Sequence, residues 1–384
     1  MVRQPHLDPL VAALGGGDTT RLIGGVVRDT LLGAPVSDID MATRLTPDEV
    51  MARLAAAHIK SVPTGIAHGT ITAVMPDGPV EITTLRRDVT TDGRRATVAF
   101  TDDWREDAAR RDFTINALSA NPDTGEVFDY FGGREDLASG HVRFIGQPLQ
   151  RIAEDHLRIL RFFRFFARFG QGKPDSAAYD ACAARANDLM TLSRERIASE
   201  LLKLLSYAAP VAAIRLMLAR DILKPVLPEI TSADLLDSLV IREDGNGGDP
   251  IRRLAALIGP DPVVAKDIAT RLKLSKAQGK RLITACGWTM VEESLPALAY
   301  RLGIESARDL LLLIGGNASA LDSWHRPTFP ITGGTLIKRG LESGPIVAIT
   351  LAEIENAWID AGFPSGAAFD AIVDRISPTT AGQN

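Results

Sequence analysis

Leu22-Ile-Gly-Gly-Val-Val-Arg-Asp29 sets two glycines between a short β-type run, Arg21 to Ile23, and a helical stretch. Glycines at such a turn let the backbone approach a bound group closely, and the helix beyond offers free N–H groups to an anion. Gly24 and Gly25 are therefore candidate contacts to a bound anion, and Arg28, about one turn into the helix, is placed to reach a phosphate. Downstream, Ser37-Asp-Ile-Asp-Met41 carries acids two apart in a strand pattern, so Asp38 and Asp40 point to one face. Parallel carboxylates repel unless positive charge sits between them. Mg2+ supplies it, and two-metal phosphoryl or nucleotidyl transfer needs carboxylates bridging ions roughly 4 Å apart. Glu81, the only acid in Val80-Glu-Ile-Thr-Thr-Leu85, is the candidate third carboxylate from a neighbouring strand. Asp38, Asp40 and Glu81 are thus expected to be catalytic, with Asp38 and Asp40 as metal ligands. An isolated Asp-x-Asp is usually a solvated strand edge; the glycine turn ahead of it changes the reading.

The turn and the acid pair belong to a mixed N-terminal part. Up to about residue 138, β-type runs (Arg21 to Ile23, Asp38 to Ala42, Thr70 to Met75, Val80 to Leu85) alternate with helices such as Pro47 to Ala57. Thr46, Pro47 and the acids after them form a helix start. Val89 to Glu106, polar and aperiodic, reads as a mobile loop. Beyond about 139 apolar positions recur at helical spacing, broken by Gly/Pro clusters, to a C-terminus whose last eight or so residues read as frayed. The fold class expected is α+β: a mixed α/β part at 1–138, then all-helical parts at 139–205 and 206–384.

Composition narrows the function. The 384 residues suffice for two or three domains. No apolar run approaches the roughly 20 residues that cross a bilayer, so no membrane partner is expected. Cys182 and Cys286 have no partners at metal-ligand spacing, and the N-terminus lacks a signal-peptide pattern, so a reducing cytoplasm is the simplest location. A net charge of −5 argues against indiscriminate coating of nucleic acid. Local charge differs: between Arg143 and Lys173 stand seven Lys/Arg and two Asp/Glu.

Gly24-Gly-Val-Val-Arg-Asp-Thr-Leu-Leu-Gly33 with Asp38-Ile-Asp40 resembles the nucleotidyltransferase signature of the polymerase-β superfamily. It is similar to the version in class II CCA-adding enzymes and bacterial poly(A) polymerases. That family usually has Arg after the Leu-Leu-Gly where this chain has Ala34, a change expected to alter peripheral packing and not the chemistry. The resemblance implies a head, neck, body and tail, and Mg2+-dependent transfer of CMP and AMP from CTP and ATP to the 3′ end of tRNA. No obligatory protein partner is implied. Arg110-Arg-Asp-Phe-Thr-Ile-Asn-Ala117 looks like the family's second motif, in which Arg meets the triphosphate and Asp and Asn sit near the ribose. Arg111 offers a planar fork for phosphate, and Asp112 and Asn116, four apart, would stand one helical turn apart.

The most specific segment is Arg151-Ile-Ala-Glu-Asp-His-Leu-Arg-Ile-Leu-Arg-Phe-Phe-Arg-Phe165. As one helix it puts Arg151, Glu154, Asp155, Arg158, Arg161 and Arg168 on one face, with Ile152, Ile159, Leu160, Phe163 and Phe166 largely opposite. Cytosine and adenine present an amine donor beside a ring-nitrogen acceptor; uracil and guanine reverse this. Asp155 accepting and Arg158 donating would select C and A, and leave unpaired groups against U and G. The family resemblance gives this segment the role of a protein template, with Arg161 and Arg164 beside it. Further matches are Gly65 to Thr70, Asp92 to Arg94, the hinge-like Asp129 to Leu137, Arg194 to Leu201 as a neck-stabilising motif, and Arg271 to Ser275. Poly(A) addition, CC- or A-only addition, and a non-catalytic RNA-binding role remain as alternatives, while the absent Gly-x-x-x-x-Gly-Lys motif excludes a P-loop kinase.

Overall fold

The computed structural model describes residues 4–36, 38–92, 95–243, 248–288 and 294–377; of residues 67, 88–92 and 95–98 only the backbone is described. In chain order the first part runs α1 (Asp8–Leu14), β1 (Thr20–Ile23), α2 (Gly25–Leu31), β2 (Ile39–Thr43), α3 (Pro47–Ala56), β3 (Ser61–Gly65), β4 (Thr70–Met75) and β5 (Gly78–Thr84). The capping of α3 is as expected: Thr46 Oγ accepts from the Glu49 amide while Glu49 accepts from the Thr46 amide at 2.8 Å. Then come β6 (Arg86–Asp92), β7 (Arg95–Phe100), α4 (Trp104–Ala109), β8 (Ser119–Ala120), β9 (Val127–Phe128) and α5 (Gly133–Ser139). Among the described residues seven strands form one sheet in the order β3-β4-β5-β2-β1-β8-β9. Only β2 and β5 pair in parallel there, and their register sets Asp40 directly beside Glu81. In β5, Val80, Ile82 and Thr84 turn inward, which leaves Glu81 on the open face.

Two expectations are corrected. The stretch Val89 to Glu106 is not a loop. Its backbone forms the β6–β7 hairpin, paired from Arg86 with Phe100 to Asp92 with Arg95, and then enters α4. The Thr and Val positions on both arms are strand formers, and the partner that satisfies each arm is the other arm, which a search for periodicity within one segment does not reveal. Nor is 151–165 a single helix. It is α6 (Pro148–Glu154) and α7 (Arg158–Phe169), parted at Asp155, whose backbone is extended at φ −152°, ψ 107°. Asp155 competes with the helical ladder: its Oδ1 accepts from the Leu157 amide at 3.1 Å and its carbonyl from the Arg158 amide at 3.0 Å. The apolar side of the projection survives the break, because Ile152, Ile159, Leu160, Phe163 and Phe166 are all buried.

Helix α7 is held by an aromatic cluster. The rings of Phe113 and Phe144 lie 4.7 Å apart, and Phe162 and Phe165 of α7 pack on them at 5.9 and 5.2 Å. Removing one such ring costs about 3–5 kcal/mol. After α7 follow α8 (Ser176–Ala184), α9 (Arg194–Ser206) and α10 (Val211–Ala219). The chain divides into two compact units, Met1–Ala233 and Asp234–Asn384, so the expected junctions near 138 and 205 both fall inside the first. The described part of the second unit is helical, from α11 (Asp234–Arg242) to a last helix at Ala367–Ile376, with a core around Trp358, Ile354 and Leu336. Among the described residues no helix is long and apolar enough to cross a membrane.

Candidate active site

Strand β1 delivers the chain to Gly24, which adopts φ +65° and donates its amide to Leu118 O at 3.0 Å. A side chain there would be strained, and its Cβ would lie 3.3 Å from Arg111 Nη1. The glycine therefore makes room for an arginine at the start of α2. Asp40, half-buried on β2, faces the same space. Burial, then the charges of Glu81 and Asp38, push its carboxyl above the usual range, and Arg111 opposes them. Asp38 itself precedes the strand, is exposed, and lines a separate small depression with His6 and Asp77. Among the described residues no three His, Cys, Asp or Glu side chains converge closely enough to enclose a metal ion.

One cleft of about 410 Å3 gathers most of the expected residues. Gly24, Gly25, Arg28, Asp40, Arg111, Asp112, Asn116, Asp155, Arg158 and Arg161 all line it, together with Arg110, Leu157, Phe165 and Arg196. Its volume suits a small-molecule ligand. Six arginines face three aspartates in its walls, a balance that concentrates a polyanion against the charge of the whole chain. Arg164 is not in the wall. It is buried, donating from Nε to Glu200 Oε2 at 2.6 Å and from Nη1 to the Tyr207 hydroxyl at 3.2 Å.

The geometry of the second motif also differs from the helix expected. Asp112 precedes a 3-10 turn, Thr114–Asn116, and the two polar side chains bond each other, Asn116 Nδ2 donating to Asp112 Oδ1 at 3.0 Å. Arg161 Nε donates to Asp112 Oδ2 at 2.6 Å. Burial works against the Asp112 carboxylate, but the Arg161 charge and the hydrogen bonds outweigh it and hold its pKa below the usual range. Arg28, almost wholly buried, donates to Asp29 and Asn116, and burial lowers its pKa. Helix α6 is pinned to the same loop by Arg151, which donates to the Arg110 and Arg111 carbonyls at 2.5 Å. Across the helix break, Arg158 Nη1 bonds Glu154 Oε2 at 2.5 Å and the Arg151 carbonyl at 2.8 Å.

Arg196, on α9, was outside the expected set and donates to Asp155 Oδ2 at 2.8 Å. Its only trace in the sequence is the Arg194-Glu-Arg start of the neck-stabilising motif, 41 residues from its partner. The aromatic wall residue Phe165 lies under the guanidiniums of Arg161 and Arg164, at 5.3 and 4.2 Å from its centroid.

Comparison with known proteins fits this arrangement. A family model described as the poly A polymerase head domain matches residues 20–143, and one described as a probable RNA and SrmB-binding site of polymerase A matches residues 173–234. The mitochondrial CCA tRNA nucleotidyltransferase 1 of Homo sapiens is 37% identical over 368 residues, covering 89% of this chain and 83% of that one. The chain belongs to the class II CCA tRNA nucleotidyltransferase family. Like its relatives it is a nucleotidyltransferase. The CCA-adding enzyme of Streptococcus uberis is 41% identical over 184 residues, 47% of this chain and 44% of its own. The fold is that of the family's solved structures. The Bacillus stearothermophilus CCA-adding enzyme in complex with CTP superposes with a TM-score of 0.72, covering 97% of this chain and 98% of that one at 22% identity. The Thermotoga maritima CCA-adding enzyme complexed with tRNA-CCA gives 0.68, covering 98% and 96%, also at 22% identity. The family's α+β class is the one expected from the sequence.

Proposed function

We propose that this enzyme completes the CCA 3′ end of tRNA, joining CMP and AMP from CTP and ATP and releasing pyrophosphate. One observation carries the reading: a single arginine-rich cleft holds the glycine turn, Asp40 and Arg111 together with Asp155 and Arg158. Arg111, in the cleft wall beside Gly24, takes the triphosphate. Asp155 and Arg158 read the base. Asp155 is already oriented by Arg196 and the Leu157 amide, yet each carboxylate oxygen keeps a second lone pair for the exocyclic amine of C or A. A base with a carbonyl there meets an acceptor with an acceptor and is rejected.

Asp40 and Glu81, side by side in the β2–β5 register, with Asp38 two residues before Asp40, offer hard-oxygen donors that suit Mg2+, and burial followed by the charges of Glu81 and Asp38 raises Asp40, a cost that a cation would relieve. These residues would hold the ion, which when bound neutralises phosphate charge and activates the attacking hydroxyl. In domain terms the proposal is a catalytic head at 1–138, a base-reading neck at 139–205, and a tRNA-binding body and tail at 206–384. Two free, buried cysteines are compatible with a reducing cytoplasm; three vertebrate relatives carry "mitochondrial" in their names, and cell fractionation separates the two locations.

The test offers a tRNA ending at the discriminator base with each NTP alone and then together, and sequences the products. Uniform CCA ends are expected. Oligo(A) ends would make the chain a poly(A) polymerase, CC or A alone a partial enzyme, and no extension a non-catalytic RNA-binding protein.

A further inference from the structure

A closed circuit of hydrogen bonds starts and ends on α7. Arg161 Nε donates to Asp112 Oδ2 at 2.6 Å; Asn116 Nδ2 donates to Asp112 Oδ1 at 3.0 Å; Arg28 Nη1 donates to Asn116 Oδ1 at 2.5 Å. Arg28 Nε then donates to Asp29 Oδ1 at 2.9 Å, and Arg168 Nη2 to Asp29 Oδ2 at 3.1 Å. Arg161 and Arg168, two turns apart, share one face of the helix. The guanidiniums of Arg28 and Arg168 both pack over the Phe169 ring, at 4.5 and 4.8 Å from its centroid, so the clasp at Asp29 is stacked as well as bonded. Asp29, Arg28, Asp112 and Asn116 are all less than a tenth exposed, where such bonds are little weakened by water.

We propose that Asp29 and Arg168 are positioning residues that clamp α7, and with it Arg158 and Arg161, in register with the catalytic sheet. Neither lines the cleft, so neither is placed to meet substrate. The circuit fixes α7 at two points on one face, which opposes both sliding and rotation against α2; one bridge alone would leave a pivot. Arg28, Asn116 and Asp112 then serve the site through this circuit as well as through the cleft wall.

This inference rests on the proposed nucleotide addition and is tested with Arg168→Met, which keeps the stem over Phe169 and removes the charge. Arg168→Gln repeats the test with a shorter side chain, and Arg168→Lys keeps the charge. With tRNA saturating, kcat for CMP and AMP should fall about ten- to hundredfold in the uncharged variants, with KM for CTP and ATP within about twofold. UMP misincorporation should rise, and Arg168→Lys should recover part of both. A lower Tm with kcat and base selectivity unchanged would reduce the clasp to a structural bridge and overturn the proposal. A rise in KM for both nucleotides at constant kcat would also overturn it, making Arg168 a phosphate contact. Hydrogen exchange across Gly25–Leu31 reads the contact without activity: faster exchange in Arg168→Met shows that the bridge orders α2 and, with the fall in kcat, supports the clamp, while equal exchange refutes it. A wild-type enzyme that adds no nucleotide would refute the proposed function and leave the exchange result to decide the clamp.

Discussion

Burial and the charges of Glu81 and Asp38 raise the pKa of half-buried Asp40 against the pull of Arg111. Retaining such an arrangement costs stability unless a cation offsets the carboxylate charges. Asp40→Ala is therefore expected to bring incorporation below about one per cent of wild type while tRNA binding and Tm stay close to wild type. Addition at more than roughly a few per cent of wild type in Mg2+ would remove Asp40 from the chemistry. Arg111 makes a different prediction, because contacts to phosphate carry no base information. Arg111→Ala should raise KM for CTP and ATP alike, by about ten- to hundredfold for a lost charged hydrogen bond. Loss confined to one nucleotide would instead assign Arg111 to base reading. That Gly24, Asp40 and Arg111 meet at one cleft was legible because each stands in a short motif whose pattern is local. Arg164 misled for the same reason: its spacing matches the template, but at its height on α7 the neighbour is Glu200, a residue from another helix.

At the scale of elements, strands with alternating burial and the capped helix after Thr46 were readable to within a few residues, since each signal lies within its own segment. What pairing supplied was not: the β6–β7 hairpin and the Asp40–Glu81 register depend on a second segment. The break between α6 and α7 lay in plain sight as an aspartate in mid-pattern, a residue that competes for helix amides. Its consequence is positional: Asp155 reaches the cleft from an extended link held by Arg196. Asp155→Asn keeps the size and lets the side chain donate as well as accept. Discrimination against UTP should then relax by about ten- to hundredfold, the worth of one charged hydrogen bond. Mixed-NTP competition would reveal it as UMP in place of CMP; an active variant that is thermally softened yet strictly C/A-selective would reduce Asp155 to a cap for α7.

For the whole molecule, the first unit depends on buried carboxylates that acid must neutralise. Asp107 accepts from Arg110 at 2.9 Å and Arg111 at 3.2 Å, and Asp112 from Arg161 at 2.6 Å. Burial alone would raise both pKa values, but the arginine charges win and lower them. Because the folded values lie below the unfolded value near 3.9, the unfolded chain binds protons first as pH falls. The stabilisation is thus complete above the ordinary carboxylate range and is lost below about pH 4. The free energy of unfolding of this unit should be nearly flat from neutral pH to about pH 5 and then drop as the pH falls further. Asp112→Asn should cost about 3 kcal/mol at pH 7 by leaving Arg161 without its charge partner. The gap between variant and wild type should close as the acid neutralises the wild-type carboxylate, since both then present an uncharged group to Arg161. Following the melting of the intact chain by circular dichroism across that range checks this, with two transitions separating the units where they unfold independently. A variant that tracks the wild type in parallel down to pH 2 would show that Asp112 stabilises the fold by shape and hydrogen bonding, with no contribution from its charge.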